Sequence, residues 1–347
     1  MNSPITGKPM QLKQERTSLP FRKESYEVTY HFYECDETKE RFTTDELDEL
    51  NTIQVYNQYR ERFGIPFPEQ IREIREQYGA SASKMSEILG LGTNTYRLYE
   101  TGEMPSVANG RLILSVRQPG EFIRQVQASS HLITEKESQK LIATATRILE
   151  EQEAKPWDSL FMRNIFGDPT PSEYNGYRTP NLAKVSSVIA YYQAKDPDLV
   201  KTKLNKLLFY TDFNCFQATG YSMTGITYKA IQYGPVPAQY QKLFVKLCDD
   251  EKIEIQETQF DQVFGEKIIS TTAYDESLFS ETEIKVLEFV AKKMVRLKTS
   301  KLVDISHEEL AWQQNQAQRA LISYSRFGFT LQKETSFFAQ SLDKEGS

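Results

Sequence analysis

A cluster of prolines and glycines near the middle of the chain constrains its fold most strongly. Between Lys155 and Pro180 there are four prolines and two glycines. Because both residue types interrupt helices and strands, this stretch predicts a linker between two halves of the chain. It also contains large apolar groups that would not stay in water, so we expect part of the linker to pack against a domain. These apolar residues are Trp157, Leu160, Phe161, Ile165 and Phe166.

The composition is typical of a soluble globular protein. Of 347 residues, 39% are hydrophobic and 26% are charged, which allows two or three domains with cores of their own. A formal net charge of −6 gives no global reason to expect nucleic-acid binding, so a DNA contact would need a local patch. The three cysteines share no short spacing, and the chain has neither a long apolar run nor a secretory leader. We therefore expect a cytoplasmic protein without disulfides and without a membrane partner.

The first part of the chain, predicted as domain 1–64, combines a β ribbon with a helix. Residues 10–35 alternate as strands do, with a turn at Arg22–Ser25. Thr44 is a suitable cap for a helix that Gly64 would end. One face of the second strand is predicted to carry Tyr26, Val28, Tyr30 and Phe32.

Six helices are predicted next, four between Pro68 and Gln118 and two within residues 119–152. Ser81 would cap the second of them, and the third would run from about Thr93 to Thr101. Their inward residues would be Ile71, Ile74, Tyr78, Met85, Leu89, Tyr96, Tyr99, Leu141, Ala145 and Ile148, with Ser138 on the same stripe as the last three.

The second half of the chain predicts a mostly helical domain with short strands, so the fold class is mainly α with minor β. Helices are expected to about Ala194, from Pro197 to Thr219, at 238–250 and at 281–298, and strands near 226–232, 253–258 and 266–271.

Two short segments of the ribbon read Ser3-Pro4-Ile5-Thr6-Gly7 and Cys35-Asp36-Glu37-Thr38. They resemble the Cys-Pro-x-Cys-Gly and Cys-x-x-Cys knuckles of MqsA/YgiT-type antitoxins, whose small ribbon binds zinc. Only one of the four thiolates is present, and hydroxyl groups are weak zinc ligands, so we expect no metal here. His31 is expected to be a surface or packed residue. The ribbon would be held by its apolar face, by cross-strand pairs or by a neighbouring domain.

The next helices resemble the helix-turn-helix domain of the Xre/Cro class. The residues that carry this likeness are Arg75, Gly79, Ser81, Leu89, Gly90, Tyr99-Glu100, Gly102 and Pro105. The likeness implies a domain at 65–118, a homodimer, and an ion pair between Arg75 and Glu100. The two helices that follow and the proline-rich stretch predict a helical extension and linker at 119–179. The DNA-binding residues would be Ser81, Lys84, Thr93, Asn94, Thr95 and Arg97.

The local charge balance of this helical region leaves its role open. Between Pro66 and Gln118 there are six basic and six acidic residues, whereas phosphate neutralisation supplies much of the affinity for DNA. Ala82 also replaces the glutamine that usually opens the second helix of this class. The region is therefore either a reader of promoter DNA or a platform for dimerisation and packing.

Three motifs of the second half carry a further resemblance: Lys203–Tyr210, Tyr233-Gly234-Pro235-Val236, and Ser306-His307-Glu308 with Trp312. Over about 180–340 they resemble the Panacea (SocA-like) domain, which neutralises toxins. The likeness implies a surface for a cognate toxin, although the Gly-Pro turn could equally serve folding alone. The toxin-binding residues would be Tyr228, Tyr233, Gly234, Pro235, Val236, His307 and Trp312.

Catalysis is not expected. The cluster of His307, Glu308 and Glu309 beside Asp304 lacks the spacing of a zinc protease and a linked nucleophile. Ser306 and Glu309 instead have the spacing of a capped helix start. The Panacea likeness thus implies a type II antitoxin without a cofactor, which binds its toxin directly, and the helix-turn-helix likeness allows it to repress its own operon. The alternative is a helix-turn-helix regulator whose second half senses another protein or a ligand.

Overall fold

The computed structural model describes residues 1–154, 162–260 and 263–338. About 53% of the chain is helical and 15% is in strands, so the predicted fold class is confirmed. The chain divides into two compact units, one formed by Met1–Val55 with the chain from Ile165 onward, and one by Tyr56–Asn164. These units are coarser than the four predicted domains, whose bounds stay a prediction. No helix within the described residues is both long enough and apolar enough to span a bilayer.

A β ribbon opens the first unit. Strands β1 (Gln11–Phe21) and β2 (Glu24–Glu34) pair antiparallel over their full length around a two-residue turn, and β3 (Arg41–Phe42) pairs with the end of β2. On the predicted face of β2, Tyr26, Val28 and Phe32 are buried, and Tyr30 is partly buried.

The opposite face of β2 is also buried at Thr29, His31 and Tyr33, which the alternation of apolar residues did not show. His31 is a packed residue, and its ring lies 4.7 Å from the ring of Phe329 and 5.1 Å from that of Phe338. The Gln14 amide on β1 donates to the Phe329 carbonyl at 3.1 Å. The segment from Phe329 to Phe338 therefore covers this face, and burial lowers the pKa of His31 to about 4.

Helix α1 (Asp45–Phe63) closes the free edge of β2 with side-chain amides. The Asn51 amide accepts from His31 N at 2.8 Å and donates to its carbonyl at 2.9 Å. Gln54 makes the same two bonds to the backbone of Thr29, each at 2.9 Å. Thr44 and Gly64 bound the helix as predicted, since Thr44 Oγ1 accepts from Leu47 N at 3.4 Å and Gly64 has a φ of +61°.

The second unit contains six helices within its described residues: α2 (Pro68–Gln77), α3 (Ala82–Ile88), α4 (Thr95–Glu100), α5 (Val107–Ser115), α6 (Pro119–Ala128) and α7 (Glu135–Ala154). Nine of the ten predicted inward residues are buried, and Ile148 is partly buried against the same core. The third helix is shorter than predicted, because it begins only at Thr95. The predicted ion pair is confirmed, with Arg75 Nε 2.6 Å from Glu100 Oε1.

The remaining helices of the first unit surround one helix, α9, which is buried from Lys203 to Gln217. They are α8 (Leu182–Gln193), α9 (Lys201–Thr219), α10 (Tyr240–Asp249), α11 (Glu281–Val290, continued by a π-helical turn at Ala291–Val295), α12 (Thr299–Glu308), α13 (Leu310–Gln313) and α14 (Tyr324–Phe327). The strands are β4 (Tyr228–Ile231), β5 (Gly234–Pro237), β6 (Ile253–Phe260), β7 (Val263–Ser270) and β8 (Leu321–Ile322). They form a sheet of order β5-β4-β8 and a β6–β7 hairpin.

Two sequence predictions about this half were wrong. Gly234-Pro235 does not form the expected turn, because the turn lies at Gln232-Tyr233 and Gly234–Pro237 is itself a strand. Proline is tolerated there because β5 is an edge strand and needs fewer donors. Ser306 does not begin a helix either, since it lies inside α12 and donates to the Val303 carbonyl at 2.7 Å.

The linker packs in part against the first unit, as predicted. Ile165 is buried and Phe166 is partly buried, in a helical turn at 162–166. Both line a small cavity together with Ile226 and Leu243. Trp157, Leu160 and Phe161 lie outside the described residues.

Candidate functional site

Helix α9 is the scaffold of the candidate site. Every residue from Lys203 to Gln217 is buried, although several of them are polar or charged. Buried polar groups are costly without hydrogen bonds, so the partners of these side chains define the local structure. Three ionisable groups are central: Lys206 and Asp212 on α9, and Glu309 between α12 and α13.

Lys206 and Ser306 lie against the strand that follows the β4–β5 turn. Lys206 is completely buried, and its ammonium donates to the Pro235 carbonyl at 3.0 Å. Gly234 has a φ of +95°, which L residues rarely adopt. A methyl group at this position would overlap Ser306 Oγ and lie 2.6 Å from Lys206 Cε. Gly234 is therefore required both by its backbone angle and by the space around it.

Burial lowers the pKa of Lys206 to about 7, which links stability to pH. An unfolded lysine has a pKa of about 10.4, so between pH 7 and 10 the unfolded chain holds a proton that the folded chain has released. The free energy of unfolding should therefore rise with pH in this window, by at most about 1.4 kcal/mol per pH unit. We expect Lys206→Met to remove this rise. Urea titrations of both proteins at several pH values would test it, and parallel pH curves would contradict it.

Asp212 organises the loop between α9 and β4. Its carboxylate accepts from Met223 N at 2.8 Å, from Thr224 N at 2.7 Å, from Thr224 Oγ1 at 2.6 Å and from the Tyr228 hydroxyl at 2.7 Å. The carboxylate is fully buried, and burial raises its pKa to about 6. Sequence analysis did not single out Asp212. The sequence did contain one signal of its burial: Asp212 follows Leu208 by four residues and so lies on the buried stripe of α9.

Glu309 joins α12 to the end of the described chain. Its carboxylate accepts from the Tyr210 hydroxyl at 3.2 Å, from Thr335 Oγ1 at 2.7 Å and from Gln332 N at 3.1 Å. Burial raises its pKa to about 7. Sequence analysis assigned Glu309 to a capped helix start. In the structure its carboxylate is instead buried and accepts three hydrogen bonds from other segments of the chain.

Three of the predicted toxin-binding residues form what we call the aromatic surface: Tyr233, His307 and Trp312. Tyr233 lies at the β4–β5 turn and is 61% exposed. Trp312 is partly buried, and its indole donates to the Ile231 carbonyl at 2.7 Å. The His307 ring stacks on the indole at 3.9 Å between centroids. Burial, followed by the charge of Lys206, lowers the pKa of His307.

The other four predicted residues lie inside the domain. Tyr228, Gly234, Pro235 and Val236 are all buried, and the Tyr228 hydroxyl is bonded to Asp212. In this conformation they support the aromatic surface from below and offer little area to a partner. A direct role in toxin binding stays a prediction for all seven residues.

The predicted DNA-binding residues lie on and between α3 and α4. Thr93, Asn94 and Arg97 are exposed, and Thr95 is half-buried at the start of α4. Ser81 Oγ caps α3 by accepting from Lys84 N at 3.1 Å. The Lys84 ammonium lies 2.7 Å from Glu87 and 3.4 Å from Glu137, so two carboxylates offset its charge. Contact with DNA through these residues stays a prediction.

The two former knuckle segments meet in the ribbon. Ser3 Oγ accepts from the backbone N–H groups of Ile5 and Thr6 at 3.2 Å, and Thr6 Oγ1 lies 3.6 Å from Cys35 Sγ. Hydrogen bonds from Thr38 and Thr6 lower the pKa of the Cys35 thiol to about 6. Within the described ranges, no three histidine, cysteine or acidic residues are grouped to hold a metal ion.

Comparison with known proteins places one family on this region. Residues 204–313 match the family model described as Antitoxin SocA-like, Panacea domain. The matched segment begins on α9 and ends on α13, and so contains Lys206, Asp212, Glu309 and the aromatic surface. No curated protein and no solved structure matches the chain. The match covers a SocA-like antitoxin domain, whereas no family match supports the zinc-ribbon or helix-turn-helix likeness of the earlier residues.

Proposed function

We propose that this protein is the antitoxin of a type II toxin–antitoxin pair and neutralises a cognate toxin by direct contact through the domain at 180–340. The match of residues 204–313 to a SocA-like antitoxin domain supports this most strongly. Masking by contact needs a stable interface, which ordinarily buries about 1,200–2,000 Å² in total.

The aromatic surface has the properties of a contact region. Tyrosine and tryptophan are common interface anchors, because each combines a large apolar face with a polar group. Tyr233 is exposed at the turn, yet the strand after it is held by Lys206. An anchor on a rigid support loses little conformational entropy on binding, which favours affinity.

The buried ionisable groups support binding rather than catalysis. Lys206, Asp212 and Glu309 have shifted pKa values, which often mark active sites. Here the hydrogen bonds of each go to groups of the same domain, and their shared effect is to hold its helices, loops and strands together. We propose stoichiometric masking without a cofactor.

Substitution at the aromatic surface tests the proposal. Tyr233→Ala should weaken toxin binding by roughly 30-fold, the effect of losing about 2 kcal/mol at an interface anchor. Tyr174→Ala is a matched control, because Tyr174 is an exposed tyrosine of the same unit. Calorimetry with the product of the adjoining gene would measure both affinities. Equal affinities of the two variants for the toxin would show that Tyr233 and the aromatic surface are not part of the interface.

The second part of the proposal is autorepression through the helical unit. Asn94 and Arg97 are exposed, and side chains of these types can read adenine and guanine edges. Asn94→Ala combined with Arg97→Ala should abolish repression of the operon promoter and leave rescue from the toxin intact. If toxin rescue were absent in the unaltered chain while promoter binding persisted, the protein would instead be a regulator that senses another protein or a ligand.

A further inference from the structure

The outer edge of strand β1 has no strand beside it in the part of the chain that the structure describes. The sheet order is β1-β2-β3, so β1 is an edge strand of 11 residues. The far edge of β2 is closed by the amides of Asn51 and Gln54, whereas no side chain of the described residues bonds to the outer backbone groups of β1. Gln14, Arg16 and Ser18 are exposed. An open edge of this kind can pair with another strand.

The register of the ribbon shows which backbone groups face this edge. The two-residue turn closes on the pair Phe21 and Glu24, and such a pair exchanges both backbone hydrogen bonds. Bonded pairs alternate along the ladder, so odd-numbered residues of β1 bond to β2. Leu12, Gln14, Arg16 and Ser18 then direct their N–H and C=O groups outward. The N–H of Met10, the even-numbered residue just before β1, is also directed away from β2, because it donates to the Met1 carbonyl at 3.0 Å.

The charges on β1 favour one register for pairing with a second copy. In a continuous antiparallel sheet, a two-fold axis passes through one residue of β1 and places that residue opposite itself. An axis at Lys13, Glu15 or Arg16 would place like charges directly opposite each other, which is destabilising. An axis at Gln14 places Lys13 opposite Glu15, and symmetry makes this pair twice.

The charges next to β1 extend this complementarity. Lys13 Nζ lies 2.5 Å from Glu34 within the ribbon, and Glu15 lies 2.8 Å from Arg41. When the axis passes through Gln14, Lys13 lies between Glu34 of its own copy and Glu15 of the second copy. That Glu15 lies in turn beside Arg41 of the second copy, so the charges alternate in sign across the two copies. The bonded pairs would be Leu12 with Arg16 and Gln14 with itself, which gives about six backbone hydrogen bonds.

We propose that β1 is a self-association edge, at which two copies of this chain pair antiparallel about Gln14. Proline at position 20 and the Met1–Met10 bond limit the paired length at its two ends, so the edge accepts one partner in one register. This proposal does not depend on the antitoxin function or on the helix-turn-helix likeness.

Charge reversal and mixing test the proposal in the full chain. Lys13→Glu and Glu15→Lys should each weaken dimerisation on the order of tenfold or more, because two attractive pairs become repulsive. An equimolar mixture of the two variants should dimerise again, since each pair then joins opposite charges. Lys8→Glu is the matched control, because Lys8 pairs with Glu37 on the same ribbon outside the paired length. Sedimentation velocity over a range of concentrations measures all four samples.

A disulfide at the axis gives a second readout. In a bonded antiparallel pair the two Cα atoms are about 5.5 Å apart, within the range that a disulfide spans. Gln14→Cys should therefore crosslink two chains under mild oxidation, and Thr17→Cys should not. Unchanged dimerisation in both charge variants, failure of their mixture to associate, or equal crosslinking at positions 14 and 17 would overturn the proposal.

Discussion

Gly234→Ala is expected to lower the free energy of unfolding by about 2–4 kcal/mol and to abolish toxin neutralisation. An alanine at a φ of +95° is strained, and its methyl group would meet Ser306 and the fully buried Lys206. To make room, β5 must move away from α9 and α12, which also displaces Tyr233 at the neighbouring turn. Urea unfolding and co-expression with the toxin would measure the two effects.

Two variants separate the causes of this loss. Gly167 lies in the same unit at a φ of +77°, and an added methyl group there would meet no atom within 4 Å. Gly167→Ala should therefore show the backbone strain alone, about 1 kcal/mol. Ser306→Ala removes the atom that lies nearest to the added methyl group. The double variant Gly234→Ala with Ser306→Ala should therefore have a higher free energy of unfolding than Gly234→Ala alone. A Gly234→Ala protein as stable as the Gly167→Ala protein would show that Lys206 and Ser306 do not restrict this position.

Asp212→Ala is expected to lower the free energy of unfolding by about 3–6 kcal/mol. Four donors would lose their acceptor in a site without solvent access, and each unsatisfied donor costs about 1–3 kcal/mol before the loop relaxes. Asp198→Ala is the control, because Asp198 pairs with Lys267 while its side chain is 72% exposed, and such pairs contribute at most about 1 kcal/mol. Equal losses in the two variants would contradict the bonding role of Asp212.

The same substitution should change the pH dependence of stability. The pKa of Asp212 is about 6 in the folded chain and about 3.9 in an unfolded one, so the folded chain holds an extra proton between these values. Its contribution to stability is therefore complete below pH 4 and falls as the pH rises to 6. The difference between the unaltered chain and Asp212→Ala, measured by urea unfolding from pH 4 to 7, should shrink over this range.

Local sequence signals predicted much of the helical framework. Caps and glycine stops at Thr44, Gly64 and Ser81 marked the ends of helices, because these residues act through bonds within a few positions of themselves. The Arg75–Glu100 pair was predicted from a family likeness and is present. Strand β5 was missed, since a four-residue strand with two prolines has none of the usual strand preferences.

The candidate site was only partly predictable. The sequence named Tyr233, His307 and Trp312, and the structure brings Trp312 against both His307 and the β4 backbone. Tyr228 was named with them and is buried instead, because its hydroxyl completes the bonds of Asp212. Exposure could not be read from residue type, since tyrosine suits both a surface anchor and a buried hydrogen-bond donor.

The sequence by itself determined the mainly helical fold class, the helix ends and the motifs that match a SocA-like antitoxin domain, because each depends on residues close together in the chain. Only the tertiary structure decided that Lys206, Asp212 and Glu309 bond to distant segments of the chain. It also decided that, within the described residues, one edge of the ribbon is closed and the other has no strand beside it. These features depend on contacts between residues far apart in the sequence. Burial and hydrogen bonding at such contacts are set by the packing of whole elements, which no local pattern encodes.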